Sequence, residues 1–150
     1  MTDTITYSDS NKPSESRKNE IIDFLFEHLG NYGDPRPDIE KAVNYALKET
    51  VSFGGFVIVA YLEGNIAGAA VVNKTGMQDY IPENILVYIA TDVKHRGKGI
   101  GTQLLQKVID TADGDIALHL DPDNPARSLY ERMGFEVKYL EMRLLKKNKK

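Results

Sequence analysis

His95-Arg96-Gly97-Lys98-Gly99-Ile100-Gly101-Thr102-Gln103-Leu104 sets three glycines and at least two positive charges directly ahead of an apolar, periodic segment. Before it lies Ile85 to Thr91 (ILVYIAT), a β-branched run too short for a helix standing alone and so predicted as a central strand. After it Leu104, Leu105, Val108, Ile109 and Ala112 share one helical face that ends near Gly114. The glycines therefore join a buried strand to a helix. Such a loop lets backbone N–H groups approach an anion closely, and the helix N-terminus adds a fixed partial positive charge. Two familiar phosphate loops are excluded by spacing. Gly97-Lys98-Gly99 lacks the Gly-Lys-Ser/Thr ending of an NTPase loop, and a Gly-x-Gly-x-x-Gly dinucleotide fingerprint begun at Gly97 ends on Thr102, or begun at Gly99 on Leu104. On the residues alone, a plain strand-to-helix turn and an anion cradle both stand, with Arg96 and Lys98 placed where an anion would use them.

Around this centre the chain reads as one α/β domain over residues 1–150. Thr4 to Tyr7 is a candidate short strand in an N-terminal segment, 1–13, expected to be partly disordered. Ile21, Ile22, Leu25, Phe26 and Leu29 recur at helical spacing until Gly30 and Gly33, and Asp38 is placed to cap a second helix carrying Ile39, Val43, Ala46 and Leu47. FVIVAYLEG (56–64) and NIAGAAVVN (65–73) read as a hairpin meeting at Gly64-Asn65. Ile116 to Leu120 is the next strand. A short helix follows with Ala126, Leu129, Tyr130 and Met133 on one face, Pro125 in its first turn and Gly134 at its end. Phe135 to Tyr139 and Met142 to Leu145 read as closing strands, and KKNKK as a solvated tail.

Composition narrows the function classes. A net charge of −3 and no extended basic face argue against nucleic acid, and no apolar run approaches the length of a membrane span. The polar N-terminus has no signal-peptide core, and the absence of cysteine removes thiolate nucleophiles and thiolate metal sites; a cytoplasmic protein without a metal is expected.

The order strand, Arg96-x-x-Gly99-x-Gly101, helix, strand, then Asn124-Pro125-Ala126-Arg127-Ser128-Leu129-Tyr130-Glu131-Arg132-Met133-Gly134-Phe135 resembles the GCN5-related N-acetyltransferases, the GNAT family, over roughly residues 55–145. The resemblance implies a mixed, largely antiparallel central sheet with helices on both faces and a splayed parallel strand pair. It also implies acetyl-CoA as acyl donor, its pyrophosphate held by Arg96, Gly97, Lys98, Gly99, Ile100, Gly101 and Thr102. Its pantetheine arm would run along Ile89, Ala90 and Thr91 and past Asn124, with an N–H near Ile89 or Ala90 facing the developing oxyanion. Asn124 stands six residues before Tyr130, where the family often has seven, so Asp123 competes for that place.

Tyr130 resembles the family tyrosine that faces the cofactor sulfur, and a phenol with an ordinary pKa near 10 can protonate a departing thiolate of pKa about 8.5. The family's strand glutamate is missing: the neighbourhood reads Val87-Tyr88, leaving His119, Glu83 or a water chain as the base. Tyr32, Tyr80 and Tyr88 are candidate acceptor-binding residues, on or facing the walls 31–37 and 74–84. The acceptor is expected to be a small-molecule or peptide amine and the protein a monomer or homodimer. An acyl-CoA sensor with this fold and no catalysis is the alternative. Tyr139-Leu140-Glu141 leaves almost no loop between the closing strands, which suggests an acceptor side that is open or closed by a partner.

Overall fold

A computed structural model describes residues 2–147. Five strands lie in the order β1-β2-β3-β4-β5: β1 (Asp3–Tyr7), β2 (Gly55–Leu62), β3 (Asn65–Lys74), β4 (Asn84–Thr91) and β5 (Ile116–Ala117). The first three junctions are antiparallel and β4 with β5 is parallel, so the sheet is mixed and largely antiparallel. Helices α1 (Glu15–Leu29) and α2 (Arg36–Ala46) cover one face; α3 (Ile100–Thr111) and α4 (Arg127–Arg132) cover the other.

The alternation of β2 explains the two layers. Val57 and Val59 join Ile21, Ile22, Leu25, Ile39 and Val43 in one core, while Phe56, Ile58 and Ala60 join Ile100, Leu104, Leu105 and Val108 in the other. Burying each of these large aliphatic side chains contributes about 1.5–3 kcal/mol. Gly68 on β3 lets α3 approach: a Cβ there would stand 2.7 Å from Leu104 Cδ1 and 2.9 Å from Ile100 Cγ2. The β2–β3 turn uses Glu63 (φ 53°) and Gly64 (φ 82°), the paired positive φ angles of a tight hairpin.

Two irregularities position the functional end. In β4, Val71 faces Tyr88 but Val72 faces Leu86, so Val87 is an extra residue, a β-bulge. Its effect is a change of face: Leu86 packs on the α3 side, whereas Tyr88 and Ala90 pack on the α1/α2 side. β4 and β5 pair only at Asn84↔Ile116 and Ile85↔Ala117 and then part. The buried Asn84 pins the base of this V, its Nδ2 donating to the carbonyls of Asp113 (2.7 Å) and Asp115 (3.2 Å).

Several sequence expectations are corrected. The helix assigned to an Asp38 cap begins at Arg36 with Pro35 as N-cap, placing Asp38 within the first turn, where its charge still suits the dipole. The strand expected over Ile116 to Leu120 is two residues long, because divergence from β4 removes its ladder partner. The candidate strand at Thr4 to Tyr7, by contrast, is present as β1, which pairs with β2 from Asp3↔Tyr61 to Tyr7↔Val57. Neither closing strand forms: no backbone group from Glu136 to Lys147 is hydrogen-bonded among the described residues. Asn148 to Lys150 of the basic tail lie outside the described residues. No helix of the described residues is long and apolar enough to cross a membrane, and none of their His, Asp and Glu side chains gather in a metal-binding group of three or more.

Candidate active site

The glycine loop is fixed from behind and open in front. Asp92 accepts from the Lys94 N–H (2.9 Å), Val93 N–H donates to His28 Nδ1 (3.4 Å), and the Arg96 guanidinium donates to the His28 carbonyl at the end of α1 (3.1 Å). The Lys94 N–H holds the Asp92 carboxyl below its ordinary pKa, with smaller help from the His28, Lys94 and His95 charges. Gly97 (φ 83°) and Gly99 (φ 81°) take left-handed conformations, and a Cβ on either would meet nothing within 4 Å. Gly99 is the N-cap of α3 and supplies no side-chain cap.

Gln103 N–H, bonded to Gly99 O at 3.0 Å, is the first committed donor of that helix. Among the described residues, the N–H groups of Gly97, Lys98, Gly99, Ile100, Gly101 and Thr102 have no hydrogen-bond partner. Six consecutive unpartnered donors at a helix N-terminus, flanked by Arg96 and Lys98, are the kind of arrangement that can hold an anion. A Cβ added to Gly101 would stand 3.5 Å from Leu129 Cδ2 and 3.7 Å from Thr91 Oγ1, so the loop, the end of β4 and α4 come together here.

The open V between β4 and β5 forms a cleft of about 420 Å³. Ile85 to Tyr88 line one side and His119, Leu120, Asp121 and Asn124 the other. The α1–α2 turn adds Tyr32 and Asp34, and the C-terminal segment adds Glu141 and Arg143, which pair at 2.8 Å. Tyr88 is buried with its hydroxyl donating to the Asp34 carboxylate (2.5 Å); burial first, then Asp34, raises the pKa of this phenol strongly. Tyr32 Oη donates to the Asp123 carbonyl at 3.4 Å, tying the turn to the loop after β5.

The residues expected from sequence divide accordingly. Tyr32, Tyr88, His119 and Asn124 meet at the cleft. Asn124 Oδ1 accepts the Ala126 N–H (2.9 Å), shaping the turn into α4. Ile89, Ala90 and Thr91 pair with β3 at Ala70, Ala69 and Gly68 and, among the described residues, have no strand on their other side. Tyr130 is buried in the α3/α4 core, edge-on to Phe135 at 5.8 Å between ring centroids, with no hydrogen bond to its hydroxyl among the described residues. Burial raises its pKa, which keeps the phenol protonated.

Glu83 and Tyr80 do not line the cleft. The Glu83 carboxylate accepts the N–H groups of Asp79 (2.9 Å) and Asp115 (2.7 Å), which lower its pKa, and Tyr80 is exposed on the 75–83 loop. Glu83 thus clamps a loop to the start of β5. Asp34 falls within the wall 31–37 expected from the sequence, which singled out neither that carboxylate nor the bulge at Val87. No local signal marks a bulge, and only the apposition of Asp34 to Tyr88 singles out that carboxylate.

A sequence profile of the acetyltransferase (GNAT) domain matches residues 53–137. The chain belongs to the GNAT family. Solved structures agree on the fold along nearly its whole length. Aminoglycoside N-acetyltransferase AAC(6')-Iy in complex with CoA is 15% identical, with a TM-score of 0.71, covering 99% of this chain and 96% of its own. A ribosomal-protein-alanine N-acetyltransferase from Brucella melitensis biovar Abortus 2308 is 18% identical, with a TM-score of 0.64 and coverage of 97% and 99%. An aminoglycoside acetyltransferase from an uncultured soil metagenomic sample, solved with sisomicin, is 18% identical, with a TM-score of 0.63 and coverage of 99% and 97%. No curated protein sequence matches the chain. The GNAT assignment makes the chain an acetyltransferase by family; the donor, the acceptor and the roles of individual side chains are matters of local geometry.

Proposed function

We propose that this GNAT protein moves an acetyl group from acetyl-CoA to a primary amine by direct attack on the thioester. The observation that carries this reading is the row of unpartnered N–H groups from Gly97 to Thr102, held rigid by the His28 and Asp92 contacts behind them. Acetyl-CoA supplies the activated acyl group. The loop holds its pyrophosphate through main-chain donors, and the unpaired side of Ile89, Ala90 and Thr91 offers an edge along which the pantetheine arm lies as a strand. Backbone N–H groups near Ile89 and Ala90 then face the oxygen on which charge develops.

The amine enters through the cleft. Asp34, oriented by Tyr88, and Asp121 draw a cationic amine and hold it, and His119 or water carries away the proton that must leave before the nitrogen can attack. As the new C–N bond forms and the C–S bond breaks, Tyr130 donates its phenolic proton to the sulfur and regains one from solvent. A buried phenol with no competing hydrogen bond is suited to that role. The solved relatives whose names specify an aminoglycoside or a ribosomal protein as acceptor support an amine here, without choosing between small molecule and peptide.

Thiol release from acetyl-CoA, screened over a panel of amines, tests the reading. In Tyr130→Phe, kcat is expected to fall about 100-fold with CoA affinity unchanged. If no amine stimulates release while CoA still binds, the chain is an acyl-CoA sensor with a GNAT fold. If Tyr130→Phe matches the parent, the acid is another group.

A further inference from the structure

We propose that His28, the penultimate residue of α1, is a positioning residue for the acyl donor: it holds residues 93–98 in the shape that receives the pyrophosphate, without touching that ligand. The inference rests on the reading of Gly97 to Thr102 as the pyrophosphate site. From Val93 to Lys98, among the described residues, every hydrogen bond to a residue outside 92–98 ends on His28. Val93 N–H donates to its Nδ1 (3.4 Å), and the Arg96 guanidinium donates to its backbone carbonyl (3.1 Å). One residue thus supplies both external anchors of the segment that leads into the glycines. Arg96, a cation on a C-terminal carbonyl of α1, also sits at the negative end of that helix dipole.

The loop needs such an anchor. Gly97 and Gly99 lose more conformational freedom on ordering than other residues do, and any ordering left until the ligand arrives weakens its binding. Val93 begins the 3-10 turn Val93–His95, whose first N–H groups have no partner inside the turn. Asp92 takes the Lys94 N–H and His28 takes that of Val93. For Nδ1 to accept, the imidazole proton must sit on Nε2, which faces the carboxylates of Glu27 (3.8 Å) and Asp92 (4.0 Å). The His28 side chain is only 10% exposed and its ring lies tilted on Phe24, with centroids 4.4 Å apart. An apolar side chain would fill that space but would leave the Val93 N–H without an acceptor, so packing and positioning are separable here.

The test reads binding and so does not depend on turnover. Acetyl-CoA and S-acetylpantetheine, which lacks the pyrophosphate, are titrated by calorimetry into the full chain and two variants. His28→Leu keeps an apolar contact with Phe24 and removes the acceptor. Its affinity for acetyl-CoA should fall about 5-fold, the scale of one hydrogen bond, while that for S-acetylpantetheine stays unchanged. His28→Asn places Oδ1 where Nδ1 stood, at a helix propensity close to that of histidine, and should recover acetyl-CoA affinity to within about 2-fold of the parent. Nitrogen NMR of the parent imidazole should find the proton on Nε2. The Val93 amide should be protected from exchange in the parent and in His28→Asn, and not in His28→Leu. If the parent prefers acetyl-CoA and His28→Leu keeps that preference in full, the pyrophosphate reading stands and the role of His28 falls. An equal loss for both ligands, no recovery in His28→Asn, or a proton on Nδ1 also overturns the proposal. Equal binding of the two ligands by the parent would remove the pyrophosphate reading and this inference with it.

Discussion

The two ends of the site are built on opposite principles. At the glycine loop the groups on offer are main-chain N–H donors, the residues run consecutively from Gly97 to Thr102, and the loop is anchored by a helix end and three hydrogen bonds behind it. At the cleft the contacts are side chains drawn from four separate places: the α1–α2 turn, β4, the loop after β5 and the C-terminal segment. A loop that binds through backbone constrains only glycines, so it can be read from a short motif. A cleft assembled from distant side chains can change acceptor without disturbing the fold, and carries no contiguous signature.

Substitutions that separate the two ends test this contrast. The largest effect is expected at Gly99→Glu. Its Cβ meets no neighbour, so the cost to folding is confined to the left-handed backbone, about 1–2 kcal/mol, but the carboxylate occupies the anion site. CoA affinity should fall at least about 100-fold by calorimetry, the scale of one or two charge-assisted hydrogen bonds lost. Asp34→Asn should act at the other end alone. KM for a reactive amine should rise about 10-fold, equivalent to about 1.4 kcal/mol, with Kd for CoA unchanged. A loss of CoA affinity in Asp34→Asn would show the two ends to be coupled.

The smallest effect concerns Glu83. Its folded pKa lies below the ordinary carboxylate value, so its clamp on Asp79 and Asp115 is complete above that value and is lost as pH falls through the folded pKa. Protection of the Asp79 and Asp115 amides against hydrogen exchange, taken relative to the intrinsic rate at each pH, should therefore fall at acid pH in the parent. In Glu83→Gln that protection should be lower near neutrality and should not change with acid.

The same contrast governs what the sequence disclosed. The helical spacing of Ile21 to Leu29 and of Leu104 to Ala112, the Gly64 turn and the strand-loop-helix passage at 85–112 are local patterns, and each appears in the structure as read. Bulging at Val87, which turns Tyr88 toward Asp34, follows from how β3 and β4 register across a long loop, and no residue type announces it. Phe135 to Leu145 alternates like a strand, but alternation names a conformation and not a partner. Likewise Glu83 looked like a strand-entrance carboxylate free for proton transfer; only the convergence of two distant N–H groups shows it to be occupied.

The central claim is that consecutive main-chain donors between residues 97 and 102 bind the pyrophosphate of the acyl donor. Calorimetric titration with acetyl-CoA and with S-acetylpantetheine, which has the same acyl arm but no pyrophosphate, tests it most directly. The account predicts that S-acetylpantetheine binds at least about 100-fold more weakly to the parent and that Gly99→Glu abolishes this difference. Equal affinity of the two ligands for the parent protein would contradict it.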